Sequence, residues 1–206
     1  AKDEGVKQFI FLSTMGVYGV DTGHIEVDAK PNPKTPYAKS KFEAEVLLSE
    51  MKNNTFQVAV LRPPLVYGKN CRGNYPRLAR LALKLPFFPA IKNERSMIYV
   101  DNLSEFMRLI IDSGVGGLFF PQNREYVKTA ELVTLIARAH GKELKSNRFF
   151  NLGVCLGLRL SGEFRKVFGS FVYAKGMPGC PGTIVDGQKT DYETVSFEES
   201  IRRTEE

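Results

Sequence analysis

Two short apolar runs with a helical segment between them constrain the fold most. Residues 9–13 and Gln57–Leu61 are rich in β-branched or aromatic side chains and carry no charge, which is typical of parallel strands covered on both faces. Between them, Thr35 and Pro36 form a helix start, because Thr is a good N-cap and Pro suits the first helical position. A strand, a helix and a second strand in this order predict an α/β protein with a mainly parallel sheet.

Hydrophobic periodicity extends this alternation along the chain. In the first helix, Val46, Leu47 and Met51 recur at helical spacing, so we expect them to face the sheet. The most apolar helical candidate, 151–160, is too short to span a bilayer, and residues 176–187 form a Gly/Pro-rich loop. Helices are predicted over 36–52, 74–85, 101–111, 129–140 and 197–204, with a helix cap at Asp101 or Asn102 and further short strands over 96–100 and 117–120.

Composition narrows the function classes. A chain of 206 residues, 43% hydrophobic and 25% charged, can bury one sizeable core, alone or with a small appended lobe. The formal charge of +6 suits an anionic ligand such as a nucleotide, but scattered basic residues argue against nucleic acid. Three widely spaced cysteines fit a reduced, cytoplasmic compartment. The two histidines lie far apart, so we expect no metal site.

Tyr37 and Lys41 supply the first functional signal. A spacing of four residues places both side chains on one face of a helix, one turn apart. A cation about 4 Å from a phenolate contributes about 4 kcal/mol at an effective dielectric constant near 20, which makes the phenol usable as an acid–base group near neutral pH. An ordinary solvated helix carries such pairs too, so the surrounding sequence must decide.

Motifs on both sides of this pair occur in a characteristic order. The first strand ends in Ser13 and Thr14, the pair follows, and the second strand continues as Leu-Arg-Pro-Pro-Leu-Val-Tyr-Gly over 61–68. This series closely resembles the extended short-chain dehydrogenase/reductases, and among them the nucleotide-sugar epimerase/dehydratase family. The resemblance runs through Asn102 and continues more weakly to the C-terminus. It implies the C-terminal part of a Rossmann-like doubly wound parallel sheet with a small substrate-binding α/β lobe.

The resemblance also implies a division of the chain and a missing part. Residues 1–70 would form the catalytic half of the Rossmann-like domain and 71–206 mainly the nucleotide-sugar-binding lobe, with 96–113 returning to the first part. The stretch from Gly16 to Gly23 looks like a dinucleotide-binding glycine pattern, but three prolines over 24–36 exclude the helix that would hold the pyrophosphate. We therefore expect a fragment of a longer protein that is inactive alone; a natural stand-alone protein is the alternative.

By resemblance, three side chains carry the chemistry. Thr14 matches the active-site hydroxyl that bonds the sugar hydroxyl or carbonyl, and Tyr37 would take or return the proton. Lys41 would favour the phenolate of Tyr37 and bond the nicotinamide ribose of NAD or NADP. Ser13 is expected to be either structural or in contact with the cofactor.

Four further positions match binding segments of the family. Pro64 and Val66 belong to the segment that passes the nicotinamide ring, and they also form a rigid exit from the strand. Asn74 matches an asparagine directed at the nucleotide-sugar diphosphate, with an ordinary N-cap as the alternative role. Arg95 matches a diphosphate-binding arginine, whose guanidinium offers a two-pronged contact to phosphate oxygens.

The same comparison selects a reaction class. Met15 and Gly16 occupy the positions where nucleotide-sugar 4,6-dehydratases have an Asp-Glu pair, and neither can carry a proton. The resemblance therefore implies 4-epimerisation or 4-keto reduction of a UDP-hexose type of substrate in polysaccharide biosynthesis. A dehydratase with relocated acid and base, and a non-catalytic nucleotide-sugar-binding module, remain alternatives. The family often pairs through the YxxxK helix, so a homodimer through this helix is expected.

Overall fold

Helices and short strands alternate along the residues that the computed structural model describes, which are 1–147, 165 and 168–206. The helices are α1 (Pro36–Met51), α2 (Tyr75–Lys84), α3 (Val100–Ser113), α4 (Thr129–Ala139) and α5 (Phe197–Glu205), and short 3₁₀ helices span Lys2–Glu4 and Met15–Tyr18. The strands are β1 (Gln8–Leu12), β2 (Gly23–Ile25), β3 (Gln57–Leu61), β4 (Leu65–Tyr67), β5 (Phe87–Pro89), β6 (Met97–Tyr99), β7 (Gly117–Phe119), β8 (Lys145–Asn147), β9 (Phe171–Tyr173), β10 (Ile184–Val185) and β11 (Gln188–Lys189).

The order of elements confirms the predicted α/β class. Helices α1, α2, α4 and α5 each begin and end within one or two residues of the predicted bounds. The helical candidate at 151–160, which contains Cys155, lies outside the described residues. In the described part of the chain, every helix is too short or too polar to cross a membrane.

A three-stranded parallel sheet forms the centre of the molecule. Strand β3 lies in the middle, with β1 on one side and β7 on the other. The register pairs Phe9 with Val58 and Val60 with Leu118. Helix α1 packs on the face that carries Val58 and Val60, and α3 packs on the face that carries Ala59 and Leu61. Both faces of β3 are therefore covered, as its apolar sequence predicts.

A second core lies beyond the sheet, between α2, α4 and α5. Its centre is formed by Tyr67, Phe88, Leu132 and Ile136, all buried. Strands β4 and β6 pair in parallel beside it, as do β5 and β8. Strand β2 pairs in parallel with β9, far along the chain. The predicted division at residues 70 and 71 stays a prediction.

The orientation of α1 differs from the prediction. Val46, Leu47 and Met51 are not buried against the sheet but are 43%, 62% and 41% exposed, although Val46 borders a groove that Val58 and Val60 of β3 also line. The buried positions of α1 are instead Ala38 and Glu45. Hydrophobic periodicity places charged residues on the solvent side, so it fails for a helix whose inward face carries a carboxylate.

Asn102 also has a role other than the predicted one. Helix α3 begins at Val100 without a side-chain cap, and Asn102 lies inside the helix, fully buried. Its amide nitrogen donates to the carbonyl of Val195 at 3.0 Å, and its amide oxygen accepts from the Val195 nitrogen at 3.0 Å. The segment before α5 is thereby attached to the central part of the fold.

Candidate active site

Helix α1 crosses the carboxyl end of β1 and carries the predicted acid–base pair there. The Thr35 hydroxyl accepts a hydrogen bond from the Ala38 nitrogen at 3.1 Å, and Pro36 occupies the first helical position. Lys41 Nζ donates to the Leu12 carbonyl at 2.8 Å and lies 5.9 Å from the centroid of the Tyr37 ring. The Lys41 ammonium is thus held between the end of β1 and Tyr37, whose side chain is 59% exposed.

Thr14 lies next to the first turn of this helix. Its backbone is extended, and its hydroxyl accepts from the Gly16 nitrogen at 3.1 Å, which starts the 3₁₀ helix. A Cβ atom built on Gly16 would be 3.4 Å from Thr14 Oγ1 and 4.0 Å from Ala38 Cβ. The hydroxyl keeps its own hydrogen for donation. The structure therefore brings Thr14, Tyr37 and Lys41 to one end of β1.

A buried ion pair lies beneath these residues. The carboxylate of Glu45, one turn after Lys41, accepts hydrogen bonds from two nitrogens of Arg62. Nε lies 3.0 Å from Oε1 and 3.2 Å from Oε2, and Nη2 lies 2.5 Å from Oε2. The Ser13 hydroxyl donates to the same carboxylate. Glu45 and Arg62 are only 7% and 5% exposed. Because the Ser13 hydroxyl already donates its hydrogen to this carboxylate, the structural role for Ser13 is favoured over contact with a cofactor.

Two tyrosines complete this buried network. Arg62 Nη1 donates to the Tyr18 hydroxyl at 2.9 Å, and the Tyr173 hydroxyl donates to the Arg62 carbonyl at 2.8 Å. Burial raises the pKa of Tyr18, although the Arg62 charge opposes the rise. Burial alone lowers the pKa of the Arg62 guanidinium, but its hydrogen bonds to Glu45 and the charge of Glu45 raise it overall. Burial also raises the pKa of Tyr173, so both phenols stay protonated near neutral pH, and Arg62 stays charged.

Sequence reasoning missed Glu45 and Arg62. The available signal was a glutamate one turn after Lys41 and an arginine immediately after the last residue of an apolar strand. Each charge occupies a position that the helix or strand directs inward. Because a buried charge requires a partner of opposite sign, two inward charges on adjacent elements indicate an ion pair.

The end of β3 lies beside Thr14. The main-chain ladder between β1 and β3 continues past both strands, since the Ser13 nitrogen donates to the Leu61 carbonyl at 2.7 Å and the Met15 nitrogen to the Pro63 carbonyl at 3.0 Å. Pro64 follows, buried, and Val66 continues in β4 opposite Ile98. The strand-exit segment predicted to pass a nicotinamide ring thus starts next to the catalytic threonine candidate.

Asn74 and Arg95 lie on other elements. Asn74 immediately precedes α2, but its side chain makes no capping hydrogen bond, so the ordinary N-cap role is not seen. Arg95 lies between β5 and β6, and its Nη1 donates to the Gly169 carbonyl at 2.9 Å. Burial lowers the pKa of the Arg95 guanidinium, and the negative charge of Asp21 acts in the opposite direction. Their predicted roles stay predictions.

The residues around Lys41 fit one end of a dinucleotide. Ligands of parallel α/β sheets bind at the carboxyl ends of the strands, which is where Tyr37, Lys41 and the segment 64–66 meet. The lysine uses one of its three ammonium hydrogens on Leu12, so donors remain for a ribose. These groups suit the nicotinamide half of NAD.

The glycine-rich stretch from Gly16 to Gly23 serves a different purpose. It forms the 3₁₀ helix and the start of β2, not the turn and helix that hold a pyrophosphate, as the three prolines predict. Gly19 has φ 65°, and a Cβ atom there would lie 1.9 Å from the Asn32 carbonyl oxygen. The glycine therefore permits close packing of the following loop. In the described part of the chain, no group of three or more His, Cys, Asp or Glu side chains is arranged to hold a metal ion.

Comparison with known proteins identifies the family. The model of the NAD dependent epimerase/dehydratase family matches residues 1–119, which include Thr14, Tyr37, Lys41 and the strand-exit segment. The chain belongs to the NAD dependent epimerase/dehydratase family. This confirms the predicted resemblance and, for the family, the predicted nicotinamide cofactor.

Two relatives share about a third of their aligned residues with this epimerase/dehydratase family member. The UDP-glucose 4-epimerase of Vibrio cholerae is 34% identical over 151 residues, covering 69% of this chain and 46% of the relative. An N-acetyl-alpha-D-glucosaminyl-diphospho-ditrans,octacis-undecaprenol 4-epimerase of Escherichia coli O157:H7 is 33% identical over 118 residues. The alignment covers 55% of this chain and 36% of the relative. The chain spans less than half the length of either relative.

Solved structures confirm the fold. The UDP-glucuronic acid 4-epimerase of Bacillus cereus, in complex with NAD, aligns with TM-score 0.67 and 20% identity over 96% of this chain and 58% of that chain. The UDP-glucose 4-epimerase of Thermus thermophilus, also in complex with NAD, aligns with TM-score 0.61 and 23% identity over 98% of this chain and 64% of that chain. The predicted Rossmann-like parallel sheet is therefore confirmed.

The packing at Gly19 generates a stability prediction. Gly19→Ala combines the cost of a left-handed backbone with a clash against Asn32, whereas Gly5→Ala, at φ 75°, adds a Cβ that meets nothing within 4 Å. We expect Gly19→Ala to lower the free energy of unfolding by about 1–3 kcal/mol more than Gly5→Ala, the usual cost of overpacking. Chemical denaturation of both variants measures the difference. Equal losses would show that the contact with Asn32 does not require glycine.

Proposed function

We propose that the whole protein is an NAD(P)-dependent nucleotide-sugar 4-epimerase or 4-ketoreductase that acts on a UDP-hexose type of substrate. The observation that carries this proposal is the convergence of Thr14, Tyr37 and Lys41 at the carboxyl end of β1. Two relatives that bear the name 4-epimerase support it. The name of the undecaprenol-linked relative also supports a place in polysaccharide biosynthesis. The cytoplasm is proposed on the cysteine pattern, because three widely spaced cysteines fit a reduced compartment.

Tyr37 moves the proton in this proposal. Its phenol is open to the space beside α1, where a sugar hydroxyl can approach, and the Lys41 ammonium stabilises its ionised form. Thr14 donates its free hydroxyl hydrogen to the reacting oxygen and so orients the sugar. A nicotinamide cofactor held there would supply the hydride chemistry at the sugar carbon. Lys41 and the backbone of the segment from Pro64 to Val66 hold the nicotinamide end.

Asn74 and Arg95 bind the diphosphate in this proposal. The Asn74 amide is not used by the helix that it precedes, so it is available to a ligand. The Arg95 guanidinium has donors besides the one that contacts Gly169, and it lies where burial strengthens a charge-assisted hydrogen bond to phosphate.

Elimination of water is a weaker alternative. Met15 is buried and apolar, and Gly16 has no side chain, so neither position supplies the acid or base of a 4,6-dehydratase. A product that has lost water, detected by mass spectrometry, would favour a dehydratase with relocated groups.

The role of Tyr37 generates the second prediction. In the whole protein with NAD and UDP-glucose or UDP-galactose, Tyr37→Phe should lower kcat/KM by about 10²–10⁴-fold, the usual contribution of a general acid–base group. Tyr99→Phe, which removes a phenol from β6, serves as the matched control and should change kcat/KM by less than about threefold. Unchanged turnover in Tyr37→Phe would exclude the assignment.

A non-catalytic nucleotide-sugar-binding module is the second candidate function. It is favoured by one observation, the absence of a glycine-rich pyrophosphate turn from the sequence of this chain. Such a module would bind the nucleotide sugar and have no hydride chemistry. For the chain alone we expect the same behaviour, because most contacts to the cofactor phosphates would be absent.

Calorimetry on the 206-residue chain gives the third prediction. The chain should bind UDP-glucose, and Arg95→Gln should weaken binding by about 10–100-fold, the loss expected for one hydrogen bond to a charged group. Arg80→Gln, on the exposed side of α2, should leave binding unchanged. NAD should bind weakly or not at all. Tight binding of NAD by the isolated chain would contradict both the module and the expected inactivity of the chain.

A homodimer through α1 belongs to the same proposal. Leu47 and Met51 form, with the half-buried Ala44, an apolar strip on the outer face of α1. An apolar strip of this kind favours contact with another protein surface, and family members often pair through this helix. A second copy of the chain, related by a twofold axis, would cover both strips at once.

Sedimentation velocity tests the homodimer. Leu47→Lys places a charge in the centre of the strip and should shift the protein from dimer to monomer. The matched control is Ile111→Lys on α3, where the isoleucine is 57% exposed against 62% for Leu47, and it should leave the dimer intact. A wild-type monomer at concentrations of about 100 μM would exclude a specific dimer of ordinary affinity.

A further inference from the structure

The buried pair of Glu45 and Arg62 joins more elements than any other ion pair recorded in the described residues. Glu45 lies on α1, Arg62 follows β3, and Ser13 adds the end of β1. Tyr18 adds the 3₁₀ helix and Tyr173 adds β9. The network therefore connects the helix that carries the acid–base pair to the strand end that carries Thr14.

The neighbours of this network in the chain are the candidate catalytic residues. Glu45 follows Lys41 by one helical turn, a spacing that separates Cβ atoms by about 5–6 Å. Ser13 is joined to Thr14 by a peptide bond. A shift of the carboxylate therefore changes the distance between the α1 pair and the threonine.

Stability alone does not account for two buried charges at this place. Replacing a buried ion pair with apolar side chains of similar volume is often neutral or stabilising, because the charges lose their hydration. An apolar replacement cannot reproduce the directional hydrogen bonds of the ion pair. The two-pronged contact fixes both the distance and the angle between α1 and the end of β3, and the third nitrogen of the Arg62 guanidinium, Nη1, fixes Tyr18.

We propose that Glu45 and Arg62 are positioning residues that hold Thr14 at the correct distance from Tyr37 and Lys41. Neither side chain touches the substrate; both act through Ser13 and α1. This inference rests on the proposed function for its effect on turnover. Its structural part, the placement of Thr14 against the first turn of α1, is measured without any ligand.

The test replaces the ion pair with an apolar pair. The double variant Glu45→Leu with Arg62→Met should remain folded in the absence of denaturant, with a lower midpoint of chemical denaturation because the buried Ser13 and Tyr18 hydroxyls lose their partners. In the whole protein with NAD and UDP-glucose, kcat should fall by about 10–100-fold while KM changes by less than threefold, because small displacements of catalytic groups have effects of this size. If the pair is purely structural, kcat of the folded double variant should be unchanged, and this result would overturn the inference.

A ligand-free measurement separates this inference from the proposed function. The Thr14 and Ala38 methyl groups both lie near the Cβ position of Gly16, Thr14 Cγ2 at 3.6 Å and Ala38 Cβ at 4.0 Å. A nuclear Overhauser effect between the two methyl groups should be present in the wild-type chain and lost or weakened in the double variant. An unchanged effect would overturn the inference even if the protein had no epimerase or reductase activity.

Two further variants complete the design. If the apolar double variant does not fold, Arg62→Lys keeps the charge but loses the two-pronged contact; it should lower kcat by about tenfold at nearly constant KM, and an unchanged kcat would overturn the inference. The exposed pair Glu105 and Arg108 on α3 provides the control. Glu105→Leu with Arg108→Met should leave both kcat and the methyl contact unchanged.

Discussion

The parallel pairing of β1 with β3 determines where every candidate catalytic group lies. Because the strands run in the same direction, their carboxyl ends meet at one edge, and the hydrogen bonds continue past the strands through Ser13 and Met15. Thr14 is therefore placed next to the exit of β3, and the connecting helix must return across the same edge with Tyr37 and Lys41. The general rule that ligands bind at the carboxyl ends of parallel strands follows here from the connection of one β-α-β unit.

Much of this unit could be predicted from the sequence because its signals are local. Apolar strands, the cap formed by Thr35 and Pro36, and a spacing of one helical turn all depend on neighbouring residues. The orientation of α1 could not be obtained in this way. It depends on Glu45, whose burial is tolerated only because Arg62 arrives from another element, so the inward face of the helix is decided by a tertiary contact.

The short strands show the same limit. Strand β2 has three residues and pairs with β9, which lies almost 150 residues further along the chain. A segment of this length has too little periodicity to distinguish a strand from a loop, and its partner is fixed by the fold as a whole. For the candidate site, the sequence predicted the groups that match a family motif, Thr14, Tyr37 and Lys41. The supporting network of Glu45, Arg62, Tyr18 and Tyr173 was not predicted, because its members come together only in three dimensions.

The exposure of Tyr37 gives a physical reason why bound ligands matter for the chemistry. Two unit charges 4 Å apart interact by about 1 kcal/mol in water but by about 4 kcal/mol at an effective dielectric constant of 20. Because Tyr37 is 59% exposed, a charge on it would interact with Lys41 largely through water. A nucleotide sugar and a nicotinamide ring over this end of the sheet would exclude water and strengthen the same ionic interaction several-fold. In the proposed function, helix α1 would supply the geometry of the acid–base pair, and the ligands would supply the low dielectric constant that makes it effective.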